Sequence, residues 1–376
     1  MRFPEFQDEW VQKKLGEVFS IFNGYAFPSS KSVDNGALWV KIADVGIQKM
    51  KRDNLSFLPF NFKEKHSKFS LKKGDYVVAL TRPILNGKLK IARIDDFFDG
   101  ALLNQRVGKI QTENSNGFVY CYLQKSDLIK SIENNIAGTD PPNLSPNEIN
   151  SILLTIPPIP EQIKISSFLS LIDDRIQTQS KIIEQLKTLI LCFRNQIFRQ
   201  KIRFKNENET DFSEWNEVKI GDILKIGSGK DYKHLQPGNI PVFGTGGFMT
   251  LVDDYIYDGE TVCVGRKGTI NKPMYHNGKI WTVDTLFYTH SFQSCIPKFI
   301  FHLFRTINWL EYNEASGVPS LSKTTIEKIK VQIPSLEEQH VISRFLSAID
   351  KKIQIEKTIL EQLEKQKKYL LKEMFI

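Results

Sequence analysis

Sliding the chain against itself by 177 residues superposes its middle on its end. Leu144–Arg199 falls on Leu321–Ile376 without a gap, and 22 of the 56 positions are identical. The matched pairs include Leu144/Leu321, Ser145/Ser322, Ile156/Ile333, Pro157/Pro334, Glu161/Glu338, Gln162/Gln339, Phe168/Phe345 and Asp173/Asp350. A segment that occurs twice is one structural unit used twice, so it constrains the fold before any local pattern does. A fainter echo opens each half, where Trp10, Leu15, Gly16, Glu17 and Gly24 answer to Trp215, Ile220, Gly221, Asp222 and Gly229. The expected order is variable block (1–155), shared segment (156–200), variable block (201–330), shared segment (331–376).

Each shared segment carries the alternating three and four spacing of a heptad seam. In the first copy it is Leu169, Ile172, Ile176, Ile183, Leu186, Ile190, Phe193 and Ile197, interrupted at Gln179. In the second it is Leu346, Ile349, Ile353, Leu360, Leu363, Leu370 and Met374, broken by Glu356 and Lys367. Glu356 occupies the place of Gln179, so the polar break is itself repeated. A helix from near Glu161 to Gln200 would run roughly 60 Å at 1.5 Å per residue. The prolines of TIPPIPEQ and QIPSLEEQ end the preceding element, and the glutamates suit a helix N-terminus. A helix this long cannot bury its seam against its own turns. The other copy is the nearest partner; the alternatives are packing on its own block, or homodimerisation.

The blocks read as compact α+β units. In the first, 76–80, 90–94 and 106–110 are expected strands, with turns at Asn86-Gly87 and Asp99-Gly100 and a helix over 117–134. In the second, 261–264 and 279–289 are expected strands and 297–312 a helix with proline in its first turn.

With these features the sequence resembles the specificity subunit of type I restriction-modification systems. The resemblance covers the whole chain: two differing blocks opened by W-x(4)-[LI]-G-[ED], and two matching helical regions introduced by I-P-x-[IL]-x-E-Q. GYAF (24–27), WVKIAD (39–44), PVFGTGG (241–247), GRKGT (265–269) and DTLF (284–287) are similar to strings in that family's target-recognition domains. It implies two α/β recognition domains separated by long helices that pair as an antiparallel coiled coil with a pseudo-two-fold repeat. It further implies a non-catalytic chain reading a bipartite, asymmetric double-stranded DNA site. Two methyltransferase subunits, and restriction or motor subunits, would be its partners. S-adenosylmethionine, ATP and Mg would be bound by those partners and not by this chain.

Composition agrees with a nucleic-acid partner without demanding one. Net charge is +8 over 51 basic and 43 acidic side chains, a mild excess with no basic tail. No apolar run reaches membrane-span length and MRFPEFQDEW lacks a signal peptide's apolar core, so a cytoplasmic location is expected. Cys121, Cys192, Cys263 and Cys295 stand far apart and the six histidines show no ligand spacing, so no metal site is expected.

Catalytic motifs fail on inspection, which disfavours the main rival, a self-contained adenine methyltransferase. Asp140-Pro141-Pro142-Asn143 lacks the aromatic fourth residue such enzymes stack on a flipped base. Phe243-Gly-Thr-Gly-Gly247 has its glycines misplaced for a cofactor loop. Gly227-Ser-Gly-Lys230 lacks the upstream glycine and the Ser/Thr of a phosphate-binding loop, and Glu217-Val-Lys219 is too short a spacing to mark a nuclease. A coiled-coil adaptor without DNA readout is the third reading. The candidate DNA-binding residues are Lys51, Arg52, Thr81, Arg82, Asn86, Lys88, Asn104, Gln105 and Arg106 in the first block. In the second they are Lys230, Tyr232, Thr245, Arg266 and Lys267. Arg forks match guanine and Asn or Gln amides match adenine in the major groove, while glycine-flanked loops approach phosphate closely.

Overall fold

The computed structural model describes residues 1–136, 141–145 and 149–375. The chain divides into two compact units, 1–178 with 360–376 and 179–359, so each unit takes one variable block and a length of both long helices.

The first long helix is Ile159–Phe198 and the second Leu336–Glu373. In the first unit Leu169 and Ile172 join Leu370, Leu371 and Met374 in one buried cluster, with Ile176 packed against it. In the second unit Ile183, Ile190, Leu346 and Ile353 are buried, while Leu186 and Ile349 are partly so. Gln179 meets Glu356 and Phe193 meets Phe345, so numbers rise along one helix as they fall along the other and the pairing there is antiparallel. Leu363 is buried and Leu360 half-buried.

The polar breaks in the seam are partnered. The Gln179 amide donates to the Glu356 carbonyl at 3.0 Å and to its carboxylate. In the first unit the buried Lys367 ammonium forms an ion pair with Asp173 and donates to Gln48 Oε1 (3.0 Å) and Gln124 Oε1 (2.6 Å). Three donors meet three acceptors, which is the condition for burying an ammonium.

The repeated Glu-Gln pair at each helix start fastens helix to block. Glu161 and Glu338, both fully buried, hold Arg2 (2.7 Å) and Arg203 (2.8 Å) respectively. Gln162 accepts from the Ser115 N–H, and Gln339 from the Ile296 N–H. Each block also opens by pairing with the strand before its helix: Val11–Lys14 with Leu153–Ile156, and Asn216–Lys219 with Lys330–Ile333.

Inside the first block a four-stranded sheet runs Ser20–Asn23, Val107–Gln111, Tyr76–Ala79, Ile91–Arg93, all antiparallel. Ala37–Val40 pairs in parallel with Leu102–Leu103. The second block has six strands in the order Lys225–Ser228, Leu286–His290, Tyr257–Gly265, Met274–Thr282, Ile240–Gly244, Gly247–Val252. Its Ile240–Gly244 pairs in parallel with Met274–Thr282, as Ala37–Val40 does with its partner.

Three expected elements are corrected. The strand expected over 279–289 is two strands, because the Leu286 N–H closes a turn onto the Val283 carbonyl at 2.9 Å around Asp284. The helix expected over 297–312 ends at Phe304, where the Thr306 hydroxyl takes the Leu303 carbonyl (2.7 Å); a 3-10 turn, Trp309–Tyr312, follows. The helix over 117–134 is two, Asn116–Tyr122 and Ser126–Ile136, parted where Gln124 turns to serve Lys367. At the expected turns, Asn86-Gly87 forms a hairpin tip with both φ positive, and Gly100 also has φ positive.

Candidate nucleic-acid interface

The two blocks share a skeleton that their sequences announce only in the echo at their openings. In the first, the Leu80 N–H donates to the Arg106 carbonyl (3.0 Å), Leu144 to Leu80 (2.7 Å) and Arg82 to Pro142 (2.8 Å). In the second, Arg266 donates to Thr285 (2.8 Å), Leu321 to Arg266 (2.9 Å) and Gly268 to Pro319 (2.8 Å). The acceptors Pro142 and Pro319, like the donors Leu144 and Leu321, are partners in the 177-residue repeat. Two further bonds match: Asn104 to Val40 and Tyr25 to Leu103 in one block, Val283 to Phe243 and Lys230 to Thr282 in the other. Thr81 therefore answers to Lys267, Arg82 to Gly268, and Asn104-Gln105-Arg106 to Val283-Asp284-Thr285.

This equivalence explains two backbone choices. Arg82 and Gly268 both have φ positive, at 48° and 94°, because the loop turns back onto the repeat segment there. Gly24 and Gly229 sit where a strand end crosses a neighbour: a Cβ would stand 2.2 Å from the Leu103 carbonyl oxygen, or 2.0 Å from that of Val283. No side chain fits either place.

On this skeleton most of the expected residues converge. In the first block Arg82, Gln105 and Arg106 are exposed and joined through Leu80 and Tyr25, and Asn104 is half-buried with its side-chain oxygen on the Arg106 N–H (3.2 Å). Thr81 is buried and its hydroxyl donates to Asn143 Oδ1 at 2.8 Å, so it fixes the loop instead of facing solvent. Lys51, Arg82 and Lys90 form a cation cluster: burial pushes the Lys90 pKa down, and the charges of Lys51 and Arg82 push it the same way. Asn86 and Lys88 are exposed at the adjoining hairpin. Arg52 stands apart, paired with Asp95 at 2.7 Å and lying over the Phe97 ring.

In the second block Lys230, Arg266 and Lys267 are exposed at one end of the six-stranded sheet. Thr245 lies at the neighbouring hairpin tip, its hydroxyl 3.5 Å from the place of a Cβ on Gly268. Arg266 and Lys267 border a cleft of ≈ 580 Å³ with Ser228, Ser320, Ser322, Lys323 and the carboxylate of Glu314, which accepts from the Ser322 N–H at 3.2 Å. Tyr232 is half-buried against Val242, Val252, Trp281 and Val283, so its ring belongs to packing. The sequence does not single out Lys323 and Tyr25 as contact residues, although the GYAF string (24–27) and the 321–376 repeat mark the segments that hold them. Asp140, the first residue of the tetrapeptide tested for methyl transfer, lies outside the described residues, and Asn143 serves the Thr81 loop.

Among the described residues no group of three His, Cys, Asp or Glu could hold a metal ion. No helix among them is long and apolar enough to cross a membrane.

Comparison with known proteins gives one family. A family model described as type I restriction modification DNA specificity domain matches twice, at residues 7–188 and 212–365. The type I restriction enzyme MjaVIII specificity subunit of Methanocaldococcus jannaschii is 33% identical over 207 residues, 54% of this chain and 49% of that protein. The chain thus spans about half the length of that relative. The putative MjaX specificity subunit of the same organism is 24% identical over 98% of this chain and 93% of its own. The crystal structure of a type I restriction-modification S subunit from M. genitalium superposes with a TM-score of 0.68 at 18% identity, covering 100% of this chain and 99% of that one. At that identity the likeness is one of fold.

Proposed function

The chain belongs to the family of type I restriction-modification DNA specificity domains, and from that premise we propose that it is a non-catalytic subunit that reads a bipartite, asymmetric DNA sequence. The observation that carries this reading is the family model matched twice, on two blocks with one skeleton and unlike exposed loops. One skeleton presents two readers to the duplex in the same manner; unlike loops read unlike half-sites. Exposed Arg and Gln side chains on the first loop set offer hydrogen-bond forks to base edges, and the lysines beside them serve phosphates.

The rest of the reaction belongs to partners. Two methyltransferase subunits carrying S-adenosylmethionine, and motor or nuclease subunits using ATP and Mg, would assemble on the chain in the cytoplasm. The near-equivalent helical segments offer each methyltransferase the same kind of seat.

The test is to express the chain with its methyltransferase partner and map methylated positions genome-wide. A two-part motif is expected. Arg82→Ala with Arg106→Ala should weaken one half by about 5- to 150-fold, and Arg266→Ala with Lys267→Ala the other. Methylation without a bipartite motif, or equal loss at both halves from either pair, would overturn the reading.

A further inference from the structure

Three large apolar side chains stand in solvent on one edge strand of the second unit. Phe248 is 60% exposed, Met249 49% and Leu251 44%, all on Gly247–Val252, the last strand of its sheet. Exposed apolar groups clustered on an edge invite pairing, so such a cluster marks a candidate interaction surface.

The first unit shows the alternative. Its strand Ala37–Val40 occupies the same place as Ile240–Gly244, but the chain that follows folds inward. Val45 is buried at 1% exposure, Ile42 and Met50 pack on the same core, and the Gln48 N–H donates to Ile91 at 2.8 Å. In the second unit the corresponding chain instead turns at Thr245-Gly246 and returns as a hairpin, with Phe243 edge-on to Phe248 at 6.0 Å. Among the described residues nothing lies within 4 Å of a Cβ placed on Gly246 or Gly247, so the tip is slim and open at those two positions.

The surroundings of that tip say what it meets. Thr245 touches the Arg266-Lys267-Gly268 loop, and Val283, bonded to Phe243, is next to Asp284, whose carbonyl accepts from Arg266 at 3.3 Å. Lys230, Lys233, Arg266 and Lys267, with Lys323 of the adjoining cleft, outnumber the nearby carboxylates Asp231, Asp284 and Glu314. An apolar point set among cations suits a polyanion with a stacked apolar interior, which is double-stranded DNA.

We propose that the hairpin Ile240–Val252 is a wedge whose Phe248, supported by Met249, enters between two base pairs of the half-site read by the second unit. The cationic loop holds the flanking phosphates, and the inserted ring replaces the stacking that the opened step loses. Pyrimidine–purine steps unstack most readily, so that half-site contains one. The inference rests on the DNA-reading function proposed above and adds a distortion of DNA that hydrogen-bond readout does not require.

The full chain is used to select from a pool of randomised duplexes, and the enriched duplex is then made with 2-aminopurine at each position of the second half-site in turn. Wild type should brighten the probe at one step. Phe248→Ala and Met249→Ala should abolish that rise and weaken binding about 5- to 150-fold, while Phe248→Trp keeps affinity and the rise. An unchanged thermal midpoint shows that the exposed substitutions leave the fold intact. Selection of a motif with no fluorescence rise, or with unchanged affinity for Phe248→Ala, overturns the wedge but leaves DNA reading standing. If Phe248→Ala keeps DNA affinity and changes only the chain's mass in light scattering, the strand pairs copies of the protein and the wedge is wrong. If wild type enriches no motif, DNA reading itself fails, and the wedge with it.

Discussion

Lys367 shows how a single residue can break a local rule and be reconciled by its surroundings. It stands where the other copy has Ile190, in a seam whose other polar break is Glu356, and its burial is tolerated because Asp173, Gln48 and Gln124 accept its hydrogen bonds. Removing one partner of a buried pair strands the other, so Lys367→Met should cost about 3–5 kcal/mol in urea unfolding. Burial already holds the Asp173 carboxyl above its ordinary 3.8, against the pull of Lys367. A carboxyl with a raised folded pKa contributes stability below its unfolded value and loses it as pH rises through the folded one. The Lys367→Met deficit should therefore shrink as pH falls from 7 toward 5; a deficit that grows on acidification would contradict the assignment. The two opening tryptophans offer a second contrast. Trp215 Nε1 donates to the buried Glu338 carboxylate at 3.2 Å, whereas Trp10 Nε1 is buried without a hydrogen-bond partner among the described residues. Trp215→Phe should cost about 1.5–3 kcal/mol by thermal denaturation, and Trp10→Phe clearly less.

At the scale of elements the long helices are held by their seam and their polar breaks specify how they pair. Ile183 is 5% exposed in the seam, so Ile183→Ala should destabilise by about 2–5 kcal/mol, read from the urea midpoint. The Gln179–Glu356 pair acts on specificity more than on strength, since a polar group at a seam position fixes register at some cost in stability. Gln179→Leu with Glu356→Leu should raise the thermal midpoint while allowing mixed oligomers, seen as added species in light scattering. In the second unit the place of Lys367 is filled by Ile190, and Asp350 is served by Arg305 at 3.9 Å instead. Arg194, buried nearby, leaves Nε and Nη2 without hydrogen-bond partners among the described residues, and burial lowers its pKa to about 10. His302 beside it is pushed down to about 3 by burial, reinforced by Arg194 and Arg305, and so stays neutral at physiological pH. The same repeat thus carries two different polar solutions, one in each unit.

For the molecule as a whole, each unit carries one block and its own loop set, so specificity should be modular. Replacing residues 205–330 by the matching block of a relative with another target should change one half of the methylated motif and leave the other intact; a change in both would show that the blocks do not read independently. The duplication, the long helices and their seam were legible in the amino-acid order because periodicity and repetition are local in sequence. The failure of the methyltransferase, phosphate-loop and nuclease motifs was legible because such motifs demand fixed residue types at fixed spacing. The kinship of the two blocks was legible only at their openings, in pairs such as Gly24/Gly229, since the rest lies in backbone bonds such as Arg82 to Pro142 and Gly268 to Pro319, which almost any side chain can satisfy. Nor was it visible that Arg52 turns to Asp95, that Tyr232 packs inward, or that Phe248 stands in solvent. Residue type says what a side chain can bond to; only the packing of distant segments decides which bonds are already taken and which groups are left to meet a partner.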